Sequence, residues 1–169
     1  MPTTYEAIAT VTVGSGGASS ISFSSIPATY TDLVIKVSSR SAFSTFINDP
    51  ILATFNGSTS NFSAIYLTTN GSSLFSGTFA RDIGDSASSS ATSNTFSSND
   101  IYIPNYAGST NKSYSVDHVL ENNATSTNMG FVAGLWSNTA AITSITLTSN
   151  NGSNFLQHST ATLYGIKNS

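Results

Sequence analysis

The chain has 169 residues, no cysteine, and a net charge of -3 from five basic and eight acidic side chains. That length suits one domain over residues 1–169, and the absence of cysteine excludes a disulfide framework, thiol catalysis and cysteine-based zinc or iron–sulfur sites. Only 8% of residues are charged, while Ser, Thr and Asn fill 72 of 169 positions, so the surface field is weak and counter-ion release cannot drive binding to nucleic acid. With 38% apolar and 11% aromatic residues a core is within reach. At this mass the scaling laws predict about 8,000 Å² of folded surface out of about 25,000 Å².

In chain order, the start lacks the basic and apolar regions of a secretory signal. Ala7, Ala9, Val11 and Val13 alternate as one strand face, closed by Gly14-Ser-Gly-Gly17. Ile21 and Phe23 form a short strand before Pro27. Leu33, Ile35 and Val37 alternate next, then Ile51, Ala53 and Phe55, with Asn56-Gly57 as a strong turn signal and 62–69 following at hairpin distance. Residues 74–83 read as one further strand, and Ile101 with Ile103 as another before Pro104. Residues 112–120 alternate through Tyr114, Val116, His118 and Leu120, and Met129, Phe131, Ala133 and Leu135 share the next face. Ile145 and Leu147 precede Asn150-Asn-Gly152, and 161–166 is the last strand.

Helical spacing is absent, and the longest apolar runs, 33–35 and 131–136, fall far short of a membrane span. The fold class expected is all-β: a two-sheet antiparallel β-sandwich, jelly-roll-like, with the first strand (6–13) beside the last (160–166). Residues 86–98 carry only Phe96 as a large apolar side chain, and are expected as a mobile Ser-rich loop or an arm ordered against a neighbour.

Candidate chemistry is sparse. His118 stands beside Asp117 on a strand, where neighbours point to opposite faces, so the two form no dyad; Glu121 lies across the sheet and His158 is remote. Any of 33 serines completes a triad on paper, but no nucleophile motif is present, so the chain is expected not to be an enzyme. Asp82, Asp85 and Asp100 are the only carboxylates considered for calcium, at a spacing that fits no EF-hand; no metal or cofactor is expected. Six Asn-x-Ser/Thr sequences occur where about five are expected by chance, and so say nothing of glycosylation. Tyr102, Tyr106 and Trp136 are the candidate ligand-binding residues, because an exposed ring beside Asn or Asp stacks on a sugar. Against that, Trp136 continues an apolar alternation and is expected to close the core at one end.

Several phrases together resemble a known family. The stretches 30–38 (Tyr-Thr-Asp-Leu-Val-Ile-Lys-Val-Ser), 53–58 (Ala-Thr-Phe-Asn-Gly-Ser) and 103–107 (Ile-Pro-Asn-Tyr-Ala) followed by Lys112 are similar to small structural proteins of tailed bacteriophages, notably those infecting cyanobacteria. The most distinctive are 135–145 (Leu-Trp-Ser-Asn-Thr-Ala-Ala-Ile-Thr-Ser-Ile) and 160–166 (Thr-Ala-Thr-Leu-Tyr-Gly-Ile). The resemblance implies a non-enzymatic virion protein with a jelly-roll-like sandwich, made in the host cytoplasm. Roles in that family are spread among head decoration and tail or fibre parts; the short single domain without a shaft favours capsid decoration: a cement protein, expected as a trimer, touching the major capsid protein or other virion proteins through 86–98 and the residues before Tyr5. The alternative is a tail or fibre component that binds a host receptor or carbohydrate, and a hydrolase ranks last because the acids are scattered. Neither nucleic acid nor membrane is an expected partner.

Overall fold

The computed structural model describes residues 4–124 and 126–167, and every regular element in it is a strand. In order these are β1 (Tyr5–Thr12), β2 (Ser20–Phe23), β3 (Asp32–Ser39), β4 (Asn48–Phe55), β5 (Phe62–Thr69), β6 (Leu74–Thr78), β7 (Asp82–Ala87), β8 (Ser97–Ile103), β9 (Lys112–Leu120), β10 (Asn128–Trp136), β11 (Ile145–Ser149) and β12 (Thr160–Ile166). They form two antiparallel sheets, in the orders β1-β12-β3-β8-β9-β10-β5-β6 and β2-β11-β4-β7. The exposed surface is 8035 Å², in line with the scaling expectation.

The pairing is nested. β1 pairs with β12 and β3 with β8 in the large sheet, while β2 pairs with β11 and β4 with β7 in the small one. Eight strands are thus laid down as one long antiparallel ribbon folded over on itself. The expected pairing of the first strand with the last holds, with Val11 opposite Ala161 and Thr12 opposite Thr160. The hairpin β5–β6 and the pair β9–β10 extend the large sheet beyond this unit.

The core fills the space between the sheets. Leu33, Ile35, Val37, Ile101, Val116 and Leu163 of the large sheet meet Ile21, Phe23, Ile51, Phe55, Ile83 and Leu147 of the small one. Phe55, Phe62, Tyr114 and Trp136 form an aromatic group at edge and stacked geometries, with Phe55 5.3 Å from Phe62 and 5.7 Å from Trp136 between ring centroids. Edge-to-face contacts of this kind add to the burial of each ring.

Four expected features come out differently, each for a local reason. A β-bulge at Ile8 shifts the register of β1, so Ile8 packs on the core and Ala7 and Ala9 face solvent. Asn56-Gly57 does form a tight turn, both residues at positive φ and Ser58 N–H donating to Phe55 O at 2.9 Å. No β4–β5 hairpin follows, however, because β5 crosses to the other sheet and pairs with β10 and β6. The Asn56 side chain instead clasps the 141–144 loop: its Oδ1 accepts from Thr143 N and Ser144 N, and its Nδ2 donates to Ala141 O. The expected strand over 74–83 is two strands in different sheets, broken at Arg81, whose φ is 67°.

The fourth difference is the face of β10. Met129, Phe131 and Ala133 point outward, Leu135 is half-buried, and Gly130, Val132 and Trp136 are buried. Gly130 and Gly134 lie opposite His118 and Tyr114 of β9, whose rings cover them. A Cβ on Gly134 would sit 1.9 Å from Tyr114 Cζ, and one on Gly130 2.8 Å from His118 Nε2. The inward face of β10 is therefore built by its neighbour's side chains, which hydrophobicity along β10 cannot reveal.

Within residues 86–98 the middle, 88–96, is a Ser-rich loop, and it is held against this chain's own residues. The ends of 86–98 belong to β7 and β8, and Ser86, Ala87, Ser88, Ala91 and Ser97 are buried. The Arg40 guanidinium donates to the carbonyls of Thr92 (2.9 Å), Thr95 (3.0 Å), Ala91 (3.0 Å) and Ser89 (3.3 Å). Ser88, Ser89 and Ser90 hydroxyls donate to the carbonyls of Phe46, Phe43 and Ser44. One cation and three hydroxyls offset the ordering entropy that apolar burial could not. Of the residues before Tyr5, only Thr4 lies within the described residues.

Candidate functional site

The three candidate ligand-binding residues do not share a surface. Tyr106 is 0% exposed and Trp136 1%, both inside the core, and the Tyr106 hydroxyl donates to Pro27 O. Tyr102 is partly exposed on the outer face of β8, its hydroxyl donating to Asp32 Oδ2 at 2.8 Å. Asp32 is completed by Asn105 N–H at 2.8 Å, so these residues fix the turn after β8. A sugar-stacking platform of Tyr102, Tyr106 and Trp136 is not formed, because Trp136 shares the inward face of β10 with Gly130 and Val132 and Tyr106 lies in the core.

The acids considered for calcium separate as well. Asp100 lies on the outer face of the large sheet and pairs with Lys36. Asp82 and Asp85 are buried on β7, where Asp49 of β4 is the neighbouring buried acid. Among the described residues no three His, Asp or Glu side chains are arranged to hold a metal ion. His118 and Asp117 do point to opposite faces, as alternation requires: His118 is buried and Asp117 exposed.

What sequence spacing missed is that β7 lies across β9, which brings His118 to Asp85. The His118 Nδ1 to Asp85 Oδ2 distance is 3.8 Å, too long for a hydrogen bond, and Nδ1 has no partner. Asp85 Oδ2 accepts from Asn128 Nδ2 at 2.9 Å, and Asp82 Oδ1 accepts from Gly84 N–H at 2.9 Å. Burial pushes the Asp82 carboxyl up to about 7, the Gly84 bond opposing and the Asp85 charge adding. Burial likewise raises Asp85 to about 6, against its bond from Asn48 and with the charge of Asp49. Burial lowers His118 to about 4, opposed by Asp117. The buried cations elsewhere are satisfied: Lys112 Nζ donates to the carbonyls of Gly108 (2.7 Å), Thr110 and Thr139 (3.4 Å).

The other feature that distinguishes this molecule is the outer face of the large sheet over β9, β10, β5 and β6. Phe131 stands directly opposite Leu67 on β5 and Asp117 on β9; Met129 stands opposite Val119, and Ala133 opposite Ile65. Leu74 continues the Met129–Thr69 row on β6. Ile65 is 63% exposed and Phe131 56%, and Leu67, Leu74, Val119 and Met129 are all exposed. Asp117 is the one ionisable side chain among the outward positions of these four strands. Cross-strand adjacency makes the six apolar side chains one continuous exposed patch. Comparison with known protein families and with curated proteins finds no match.

Proposed function

We propose that this chain is a non-enzymatic structural subunit of a tailed-bacteriophage virion, a head-decoration protein that associates with copies of itself and with the capsid surface. The observation that carries the reading is the apolar outer face of β5, β6, β9 and β10. It is supported by the nested antiparallel pairing of the sandwich, a pattern that suits a jelly-roll-like subunit, and by the resemblance of stretches 30–38, 135–145 and 160–166 to small phage structural proteins. Association through this face removes six large apolar side chains per copy from water and strips only one ion, Asp117, of its hydration. Many copies on one particle multiply a modest contact by valency.

Light-scattering mass of the purified protein tests the reading. The native chain is expected as an oligomer, with a trimer the arrangement that local threefold positions of a capsid require. Phe131→Lys and Leu67→Lys are expected to yield monomers that melt at the native temperature, because neither side chain is in the core. A native chain that is monomeric at capsid-like concentrations would remove this reading. Copy number then places it: several hundred per particle for a head protein, a few dozen or fewer for a tail part. Particles lacking it should lose resistance to heat and internal pressure.

A further inference from the structure

A cavity of about 450 Å³ opens between β4 and β7 on one side and the β5–β6 hairpin with β9 and β10 on the other. Its apolar lining includes Tyr66, Phe75 and Phe79, and its polar lining includes Asp82, Asp85 and His118. We infer that this cavity is a binding site for a primary alkylammonium group, with Asp82, Asp85 and His118 as acceptors and the three rings flanking the alkyl chain.

The argument is an account of donors and acceptors. The donors that reach the carboxylates come from within the protein: Asn128 Nδ2 and the Asn48 side chain on Asp85, and Gly84 N–H on Asp82. The Thr68 hydroxyl is committed to Asn128 Oδ1 and Met129 O. Acceptors are left over. His118 is 4% exposed and its Nδ1 is without a partner, and Asp82 accepts one hydrogen bond with one of its two oxygens. No Lys or Arg forms an ion pair with either aspartate; the lysine pairs among the described residues are Lys36–Asp100 and Lys167–Glu6. An ammonium group has three donors and no acceptor, which is what such a site lacks. It brings the positive charge that two buried carboxyls are missing, and aromatic walls attract a cation further.

Other ligand classes fit less well. An anion meets two carboxyls. A polyol finds hydroxyl donors on Tyr66 and Thr78 but brings no positive charge to the two carboxyls. The upward shift of both carboxyls agrees with a site whose counter-charge comes from outside.

The test is an NMR titration of the full chain, following the His118 ring, with n-butylammonium chloride at about pH 7.5. The native protein should give a saturable shift. Tetramethylammonium, a cation without N–H, and n-butanol, a donor without charge, should bind at least about tenfold more weakly. Asp82→Asn and Asp85→Asn should each weaken n-butylammonium about tenfold, and so should acidification to about pH 5.5, where the carboxyls take up protons. The titratable and charged groups around these side chains are Asp49 on β4, Tyr66 on β5, Arg81 just before β7, Asp82 and Asp85 on β7, and Tyr114, Asp117 and His118 on β9. Acetyl-lysine amide, with its side-chain amine free, separates sources. A response to both amines means a lysine side chain fits, and a response to n-butylammonium alone means a free amine. Equal binding of n-butanol, unchanged binding in a folded variant, or no shift at saturating amine would each overturn the inference. Oligomer mass is independent of these substitutions, so this site and the structural role fail separately.

Discussion

Neutralising Asp82 should make the protein more stable at neutral and mildly alkaline pH. A carboxyl raised from 3.8 to about 7 on folding binds its proton more tightly in the native state than in the unfolded chain. Between those values the native state holds more protons, so its stability falls as pH rises, at about 1.4 kcal/mol per unit, for about 4 kcal/mol in all. Asp85, raised to about 6, acts in the same direction for about 3 kcal/mol. His118 acts in the other: with its pKa lowered to about 4, the native state holds fewer protons between there and 6.5, and stability rises with pH by about 3 kcal/mol. His118 and Asp85 therefore largely cancel, and Asp82 sets the net slope. Urea unfolding from about pH 4 to pH 8 should show the native protein losing about 4 kcal/mol, most of it below pH 7. The Asp82→Asn profile should be nearly flat and lie above native at pH 8. The two carboxyls repel one another, so removing one charge also relieves the other and the gains do not add. A variant less stable than native at pH 8, or a native profile that rises from pH 4 to 8, would refute the reasoning.

Three further outcomes follow from packing. Gly134→Ala places a methyl inside the Tyr114 ring position and should cost about 3 kcal/mol or more in urea unfolding, part of which Tyr114→Ala restores in the double variant. Lys112→Met leaves the carbonyls of Gly108, Thr110 and Thr139 without their donor, and calorimetry should register a loss of about 2–4 kcal/mol. Arg40→Met removes five hydrogen bonds from the 88–96 segment, so limited proteolysis should cut there in the variant and spare the native chain.

The strands themselves were largely legible. Lys112 to Leu120 alternates strictly and is β9, because an antiparallel strand with one buried face must alternate. The terminal pairing followed from two strand-like ends and the economy of a sandwich. Illegible features depend on partners distant in sequence. The burying face of β10 is supplied by Tyr114 and His118 over glycines, and nothing in β10 alone carries that information. Asn56-Gly57 announces a turn correctly but not its destination, since the Asn56 side chain serves the 141–144 loop. The 86–98 segment looked free because its stabilisation comes from Arg40, 46 residues before it begins. Asp82 and Asp85 stand close together in the sequence, and only the crossing of β7 over β9 brings His118 to them.

The treatment of charge across the molecule separates the cavity from the rest. This chain has eight acids and buries four of them. Asp32 is satisfied by Tyr102 and Asn105, and Asp49 by Ser149 and Asn151, each carboxylate receiving two donors from its own chain. Both buried basic groups, Arg40 and Lys112, are caged by carbonyls. Asp85 likewise receives Asn128 and Asn48, so the groups left short are its neighbours: Asp82, with one donor, and His118, whose Nδ1 has none. A fold that satisfies its other buried charges has no structural need for this one deficit, and an apolar or amide side chain on β7 would hold the strand at lower cost. Asp82→Asn divides the two explanations by its effect on amine binding, since stability rises under both. If the aspartate is tolerated packing, the substitution raises stability and changes nothing else. If it serves a ligand, the same substitution raises stability and weakens amine binding together, the opposition expected where a site is maintained against the stability of its scaffold.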